Sequence, residues 1–449
     1  MTPIASLSTH MTIRGRSTAP SVWLRRAEFA LLMGFLLFTF VGTRPFDSAS
    51  VAERAEGNML DRLVVMGLFA LSLAILWVHR HRAARLFLAN LPTFLLVGFA
   101  MSSYLWSDYP PLTFRRSLLL FFLTVIAFAT AVSTRSLRQL HTTLFVTMTL
   151  TILVNLLGCV LWPDIAISDI GVRGMYSQKN VAGIVGLVTM ILGATWVLAT
   201  RERLHFILGL LALLPTAFFL VITLSKTSIN LTALGLLVIF FFAMIEKHGR
   251  PFILFSLALG LIVLLGLTMW LATFEFNIQE AMTLVIGDAS FSGRDELWAF
   301  TRRDAERRFW LGHGYGAYWD VGKLNDPLVR AEAGTWLASV EIGIINQAHH
   351  GYLELWLHLG QPATVLATAI IVFGALYGAF FALFGNGSVE TRAALGAFTM
   401  LLILYMLHNF TEATLFMRGA SFNSTATLAL FLVSRAAGFT LRDQNGREA

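Results

Sequence analysis

Apolar residues along this 449-residue chain come in long blocks separated by short polar gaps. Blocks long enough to cross a hydrocarbon layer about 30 Å thick fall at 27–43, 60–78, 86–105, 116–133, 141–162 and 180–199. Six more follow at 204–224, 228–245, 251–273, 361–384, 391–408 and 419–437, the first two nearly continuous around Ser225 and Lys226. Lipid cannot satisfy free backbone groups, so these blocks are expected to be helices. The predicted fold is an all-α polytopic membrane protein of about 12 transmembrane helices, with a large, partly helical loop between helices 9 and 10. The layout is a tail at 1–26, helices 1–9 over 27–273, the loop at 274–350, helices 10–12 over 351–437, and a tail at 438–449.

Composition supports this pattern. The chain is 56% hydrophobic and only 13% charged, with a mean hydropathy of +0.70. A soluble domain of this size carries roughly twice that charge. The formal net charge of +7 is dispersed through the gaps, without a basic stripe interleaved with aromatics, which argues against nucleic acid as a partner. Cys159 is the sole cysteine and lies in an apolar block, so it forms no intramolecular disulfide and fits a small apolar filler. Arg14, Arg16, Arg25 and Arg26 precede the first block in the manner of a signal peptide. That block runs on into Val41, far from the small residues Ser48-Ala49-Ser50, so an uncleaved first helix is expected.

Charge also sets the orientation. With an even number of spans, the tails share one side with the gaps at 79–85, 134–140, 200–205, 246–250 and 385–392. That side holds seventeen Lys and Arg residues, against nine in the short gaps opposite. Both termini are therefore expected in the cytoplasm, with the long loop facing outward.

Candidate chemistry collects on that outward face. Ser292-Gly293-Arg294-Asp295 reads as a helix start, with Ser292 as N-cap and Asp295 and Glu296 in the first turn. A plain surface helix on the bilayer would explain Arg302, Arg303, Arg307 and Arg308. Arg294 is different, because the helix dipole disfavours a cation there unless an anionic ligand shares the site. The run Gly312-His313-Gly314-Tyr315-Gly316 follows a helix rather than a strand, which fits a tight turn better than a dinucleotide loop. His349 and His350 precede the next span and offer either a proton acceptor or an interfacial pair. His350, Glu354 and His358 share a helical spacing that would also allow a zinc site. Arg115, Arg116, Arg173, Lys179, Lys226, Glu412 and Arg418 complete the outward charges. Arg173, Lys226 and Arg294, if converged, would suit a diphosphate.

Four segments resemble the O-antigen ligase and polymerase family of membrane glycosyltransferases, especially exopolysaccharide polymerases. They are Arg173-Gly174-Met175-Tyr176-Ser177-Gln178-Lys179-Asn180, Leu224-Ser225-Lys226-Thr227-Ser228, Ser292-Gly293-Arg294-Asp295-Glu296-Leu297-Trp298 with Gly312-His313-Gly314-Tyr315-Gly316, and His349-His350-Gly351-Tyr352-Leu353. Lys226 stands where many members have Arg, and His350 where Asn is usual. The resemblance implies a metal-independent, inverting transfer without cofactor, at the periplasmic face of a bacterial inner membrane. The implied donor is a glycan on undecaprenyl diphosphate, and the acceptor is another glycan or a lipid A core. His349 would be the base, and Arg294, with Arg173, Lys179 and Lys226, would hold the diphosphate. His350, His313, Tyr315 and Glu412 are candidate supporting groups. Other polysaccharide export components are candidate partners, beside the membrane lipids. The expected role is a polymerase, with a ligase or a lipid-linked sugar transporter as rivals.

Overall fold

A computed structural model describes residues 22–47, 58–249, 269 and 294–447. The block at 251–273 and the N-cap Ser292 lie outside the described residues. Numbered over what is described, α1 (Val22–Phe40), α2 (Met59–Val78), α3 (Arg80–Ala89), α4 (Leu91–Ser102), α5 (Pro110–Ser133) and α6 (Leu137–Leu161) open the chain. After a short turn, α7 (Pro163–Ala166), come α8 (Lys179–Ala199), α9 (Arg203–Ile222) and α10 (Lys226–His248). The outward segment holds α11 (Arg294–Arg307) and α12 (Trp336–Ser339). Then follow α13 (Gly351–Leu359), α14 (Gln361–Phe384), α15 (Val389–His408), α16 (Ser421–Val433) and α17 (Ala436–Arg447). The chain is an all-α polytopic membrane protein. Its described strands are two-residue pieces, β1 (Ile167–Ser168) and β2 (Gly171–Val172), paired antiparallel.

Eight helices among the described residues are long and apolar enough to cross a membrane: α2, α5, α6, α8, α9, α10, α14 and α15. Two of the expected spans are broken. The block at 86–105 belongs to a pair, α3 and α4 with its following turn, bent by 81° at Asn90. The cause is compositional. α3 carries Arg80, Arg82 and Arg85, which favour water, whereas Leu91-Pro92 opens a fresh apolar helix with Pro in its first turn. The block at 419–437 gives only the 13-residue α16, about 20 Å long. It ends where Arg435 turns to the Ala131 carbonyl at the end of α5 and stacks 4.4 Å from the Phe439 ring.

α5, α8, α15 and α16 form the buried centre, whereas α2, α9, α10 and α14 are largely outward-facing. Trp77, Leu214, Phe218, Phe373 and Phe380 stand exposed on those outer helices, as a hydrocarbon solvent allows. The outward segment builds a second, smaller core from Leu297, Phe300, Tyr318, Trp319, Leu328 and Leu337 against Leu357 of α13. That core seats α11 across the ends of the membrane helices, with Arg294 at its inner tip.

Candidate functional site

The site is built around one carboxylate. Glu412 lies in the loop between α15 and α16 and is 5% exposed. The loop is shaped by Asn409, whose amide donates to the Tyr405 carbonyl at 2.7 Å while its side-chain oxygen accepts from the Thr414 N–H at 2.9 Å. Glu412 Oε1 accepts from Asn180 Nδ2 at 2.7 Å and from Arg294 Nη2 at 3.3 Å. Its Oε2 faces His349 Nδ1 at 3.2 Å. Arg294 also donates to the Thr411 carbonyl at 2.6 Å. Three distant stretches of sequence therefore meet on two adjacent residues.

The electrostatics follow from these contacts. Burial alone would raise the Glu412 carboxyl. The hydrogen bond and charge of His349, then Arg294 and His408, outweigh it and hold the group below its ordinary value. Glu412 is thus ionised at neutral pH and can only accept. In the neutral imidazole the proton of His349 then sits on Nδ1, which leaves the Nε2 lone pair to take a proton from another molecule.

His349 is held in place by its neighbours. Its φ is +50°, a left-handed backbone uncommon outside glycine, which Asn, Asp and His enter more readily than other side chains. The preceding peptide is gripped at both ends. The Ala348 N–H donates to Glu354 Oε2 at 2.7 Å, and the Ala348 carbonyl accepts from Trp298 Nε1 at 2.9 Å. On the other side the Gly351 N–H donates to the Asn409 carbonyl at 2.8 Å. A Cβ on Gly351 would meet Asn409 Oδ1 at 2.0 Å, so only glycine admits this approach. Leu224 and Phe416, in two other loops near the cluster, are left-handed as well.

The adjacent histidines take different parts. His350 caps α13, its Nδ1 accepting from the Leu353 N–H at 3.2 Å, while its ring packs against Trp298. Burial lowers its pKa, in keeping with the neutral ring that such a cap requires. Of the cationic candidates, Arg173 donates to the Ile165 carbonyl at 2.6 Å and Lys179 to the Ile170 carbonyl at 2.7 Å. A Cβ on Gly171, two residues before Arg173, would meet the Thr223 carbonyl at 2.3 Å, so this segment packs on the turn into α10. Lys226 is exposed in the first turn of α10, next to Ser225, which donates to Asn180 Oδ1 at 3.2 Å. Among the described residues none of these three cations makes a hydrogen bond or ion pair to Glu412.

His313 and Tyr315 sit elsewhere. His313 contacts Asp108 Oδ2 at 2.8 Å, and Arg308 donates to the same carboxylate. Tyr315 is fully buried, its hydroxyl donating to the Phe416 carbonyl and accepting from the Arg418 N–H. The three glycines around them form the expected tight turn. Gly312, Gly314 and Gly316 all have positive φ, and a Cβ on Gly312 would strike the backbone of His358 at 2.4 Å.

The zinc alternative does not assemble. No three His, Cys, Asp or Glu side chains among the described residues are placed to hold a metal ion. His350 is spent on its cap, and Glu354 accepts from Ala348 and, at 3.1 Å, from Trp319 Nε1. Burial pushes the Glu354 carboxyl up to about 7, and it pushes the neighbouring His358 down to about 3. Because the folded value of Glu354 exceeds the unfolded one, its contribution to stability is present below about pH 4.5 and is lost as pH rises through about 7. The melting temperature of wild type is expected to fall over that window relative to Glu354→Gln, measured in one detergent. Parallel pH curves for the two proteins would contradict the assignment.

The sequence reading gave no part to Asn180 or Thr411, and it offered Glu354 only as a zinc ligand. Asn180 had a visible signal, since it closes the quoted segment beside Lys179. A groove of about 1280 Å³ starts at Trp298 and His350 and follows Val365, Ala369 and Phe373 down α14.

Residues 210–368 match the family model described as O-antigen ligase. This segment is similar to the O-antigen ligase family. The match runs from α9 into α14 and takes in Lys226, Arg294 and His349, while Arg173, Asn180 and Glu412 lie outside it. It supports a function of the polysaccharide ligase or polymerase type in a multi-pass membrane protein. No curated protein sequence matches the chain.

Proposed function

We propose that this protein is a glycosyltransferase that moves a glycan from undecaprenyl diphosphate to an acceptor sugar hydroxyl, at the periplasmic face of a bacterial inner membrane. The observation that carries this reading is the His349–Glu412–Arg294 cluster. It places a histidine with an available Nε2 beside a guanidinium, in a membrane protein whose central segment matches the O-antigen ligase family. The acceptor hydroxyl gives its proton to His349 Nε2 as its oxygen attacks the anomeric carbon. The bond from that carbon to the phosphate oxygen breaks on the opposite side, so the configuration inverts, and the diphosphate leaves with the electron pair. Arg294 stabilises the growing charge, with Arg173, Lys179 and Lys226 along the rim. Carbonyl partners leave the charges of Arg173 and Lys179 unneutralised, which supports that part. Cations of this kind supply the charge stabilisation without a metal. The groove along α14 offers the polyprenyl tail an apolar path.

Polymerisation of exopolysaccharide or O-antigen repeat units is the preferred reading, carried by the Arg173–Asn180 segment. The ligase reading shares the residues and donor but uses a lipid A core as acceptor. Purified protein incubated in EDTA with a synthetic undecaprenyl-diphosphate repeat unit is expected to give a ladder of lipid-linked products. A product only after addition of lipid A core would select the ligase. No product from either acceptor, or activity lost in EDTA and restored by zinc, would overturn the mechanism.

A further inference from the structure

The turn through Gly312, Gly314 and Gly316 takes no part in the transfer chemistry, yet its segment holds α13 at both ends. The last carbonyls of a helix have no partner within it. Here the His313 N–H donates to the Leu357 carbonyl at 2.8 Å and the Gly314 N–H to the His358 carbonyl at 3.0 Å. The contact is backbone on backbone, since a Cβ on Gly360 would meet the Trp310 carbonyl at 2.1 Å. The turn is in its place fixed to the membrane helices. The Tyr315 N–H donates to Ser103 Oγ, just past α4, at 2.9 Å. Arg116 of α5 donates to the carbonyls of Gly316, Trp319 and Asp320.

At the other end of α13 the link runs through a buried carboxylate. Glu354 stands in the first turn of the helix and is 1% exposed. Its Oε2 accepts from Trp319 Nε1 at 3.1 Å and from the Ala348 N–H at 2.7 Å. Trp319 follows the glycine turn and shares the smaller core with Leu357. One oxygen therefore joins the turn segment to the peptide that precedes His349. The other, Oε1, lies 3.3 Å from His358 Nε2 without the alignment of a hydrogen bond. A left-handed backbone such as that of His349 persists where surrounding contacts over-determine it. Releasing the Ala348 N–H would let this peptide rotate and carry the imidazole away from Glu412 Oε2, which it meets at 3.2 Å.

We propose that Glu354 is a positioning residue: braced by the glycine turn and Trp319, it fixes the backbone of His349 so that the imidazole meets Glu412 on one side and the acceptor hydroxyl on the other. Its burial keeps it from touching either substrate. The proposal deepens the proposed function and rests on the reading of His349 as the base.

The test measures kcat and KM for the synthetic lipid-linked donor on full-length protein with matched membrane insertion. Glu354→Ala is expected to lower kcat about 100-fold, the scale of a misplacement near 1 Å, with KM within about twofold of wild type. Glu354→Gln keeps an oxygen for both N–H groups and should stay within about threefold of wild type. Trp319→Phe removes one donor alone and should lower kcat about tenfold. In a His349→Ala background, Glu354→Ala should lower the residual rate no further, because the step it serves is already lost. A merely structural Glu354 would lower that residual rate as well. That result, or an unchanged kcat in Glu354→Ala, would overturn the proposal. Should Glu354→Ala fail to insert, Trp319→Phe takes its place in both comparisons. No transfer by wild type would instead remove the glycosyltransferase reading, and this proposal with it.

Discussion

His349→Ala is expected to lower glycan transfer by about 100- to 10,000-fold, the span over which general bases contribute. The variant removes the imidazole whose Nδ1 faces the ionised Glu412 carboxylate and whose Nε2 is left available. His350→Ala serves as the comparison. It deletes the α13 cap, a loss of roughly 1 kcal/mol in stability, and should change the rate far less. The two are compared by the rate of product formation from the synthetic lipid-linked donor, on protein with matched membrane insertion. If the His350 variant is the inactive one, the roles of the two residues are reversed.

Glu412→Gln is expected to have an effect nearly as large through a different route. A glutamine keeps the size of the side chain but can present its amide N–H to His349 Nδ1. That would favour the tautomer with the proton on Nε2, which can no longer accept. The half-buried Arg294 and Asn180 would lose a charged acceptor at the same time. A fall of about 1,000-fold or more is the expected scale for a misassigned tautomer. The diagnostic is that donor binding survives better in Glu412→Gln than in Arg294→Ala, because the carboxylate acts through the imidazole. Wild-type turnover in the glutamine variant would remove Glu412 from the mechanism.

These two predictions show where sequence reading reaches its limit. His349 and Arg294 were legible because each breaks a local rule: a histidine pair at a span boundary, and a cation at a helix start. Glu412 was legible only as an outward charge between two apolar blocks. Nothing near it in the chain indicates that it faces Asn180, 232 residues away. Asn180 was missed for the same reason. A neutral amide at a helix start looks unremarkable until its partners are known.

The helix pattern itself was legible because apolar length has one physical meaning in lipid. Blocks at 361–384, 180–199 and 60–78 reappear as Gln361–Phe384, Lys179–Ala199 and Met59–Val78. The early end of α16 was not legible, since it depends on what packs beside it. The membrane, through hydropathy, settles which residues become helices, and that information is local. Which polar groups at the helix ends face one another depends on how the helices are arranged, and that only the tertiary structure decided.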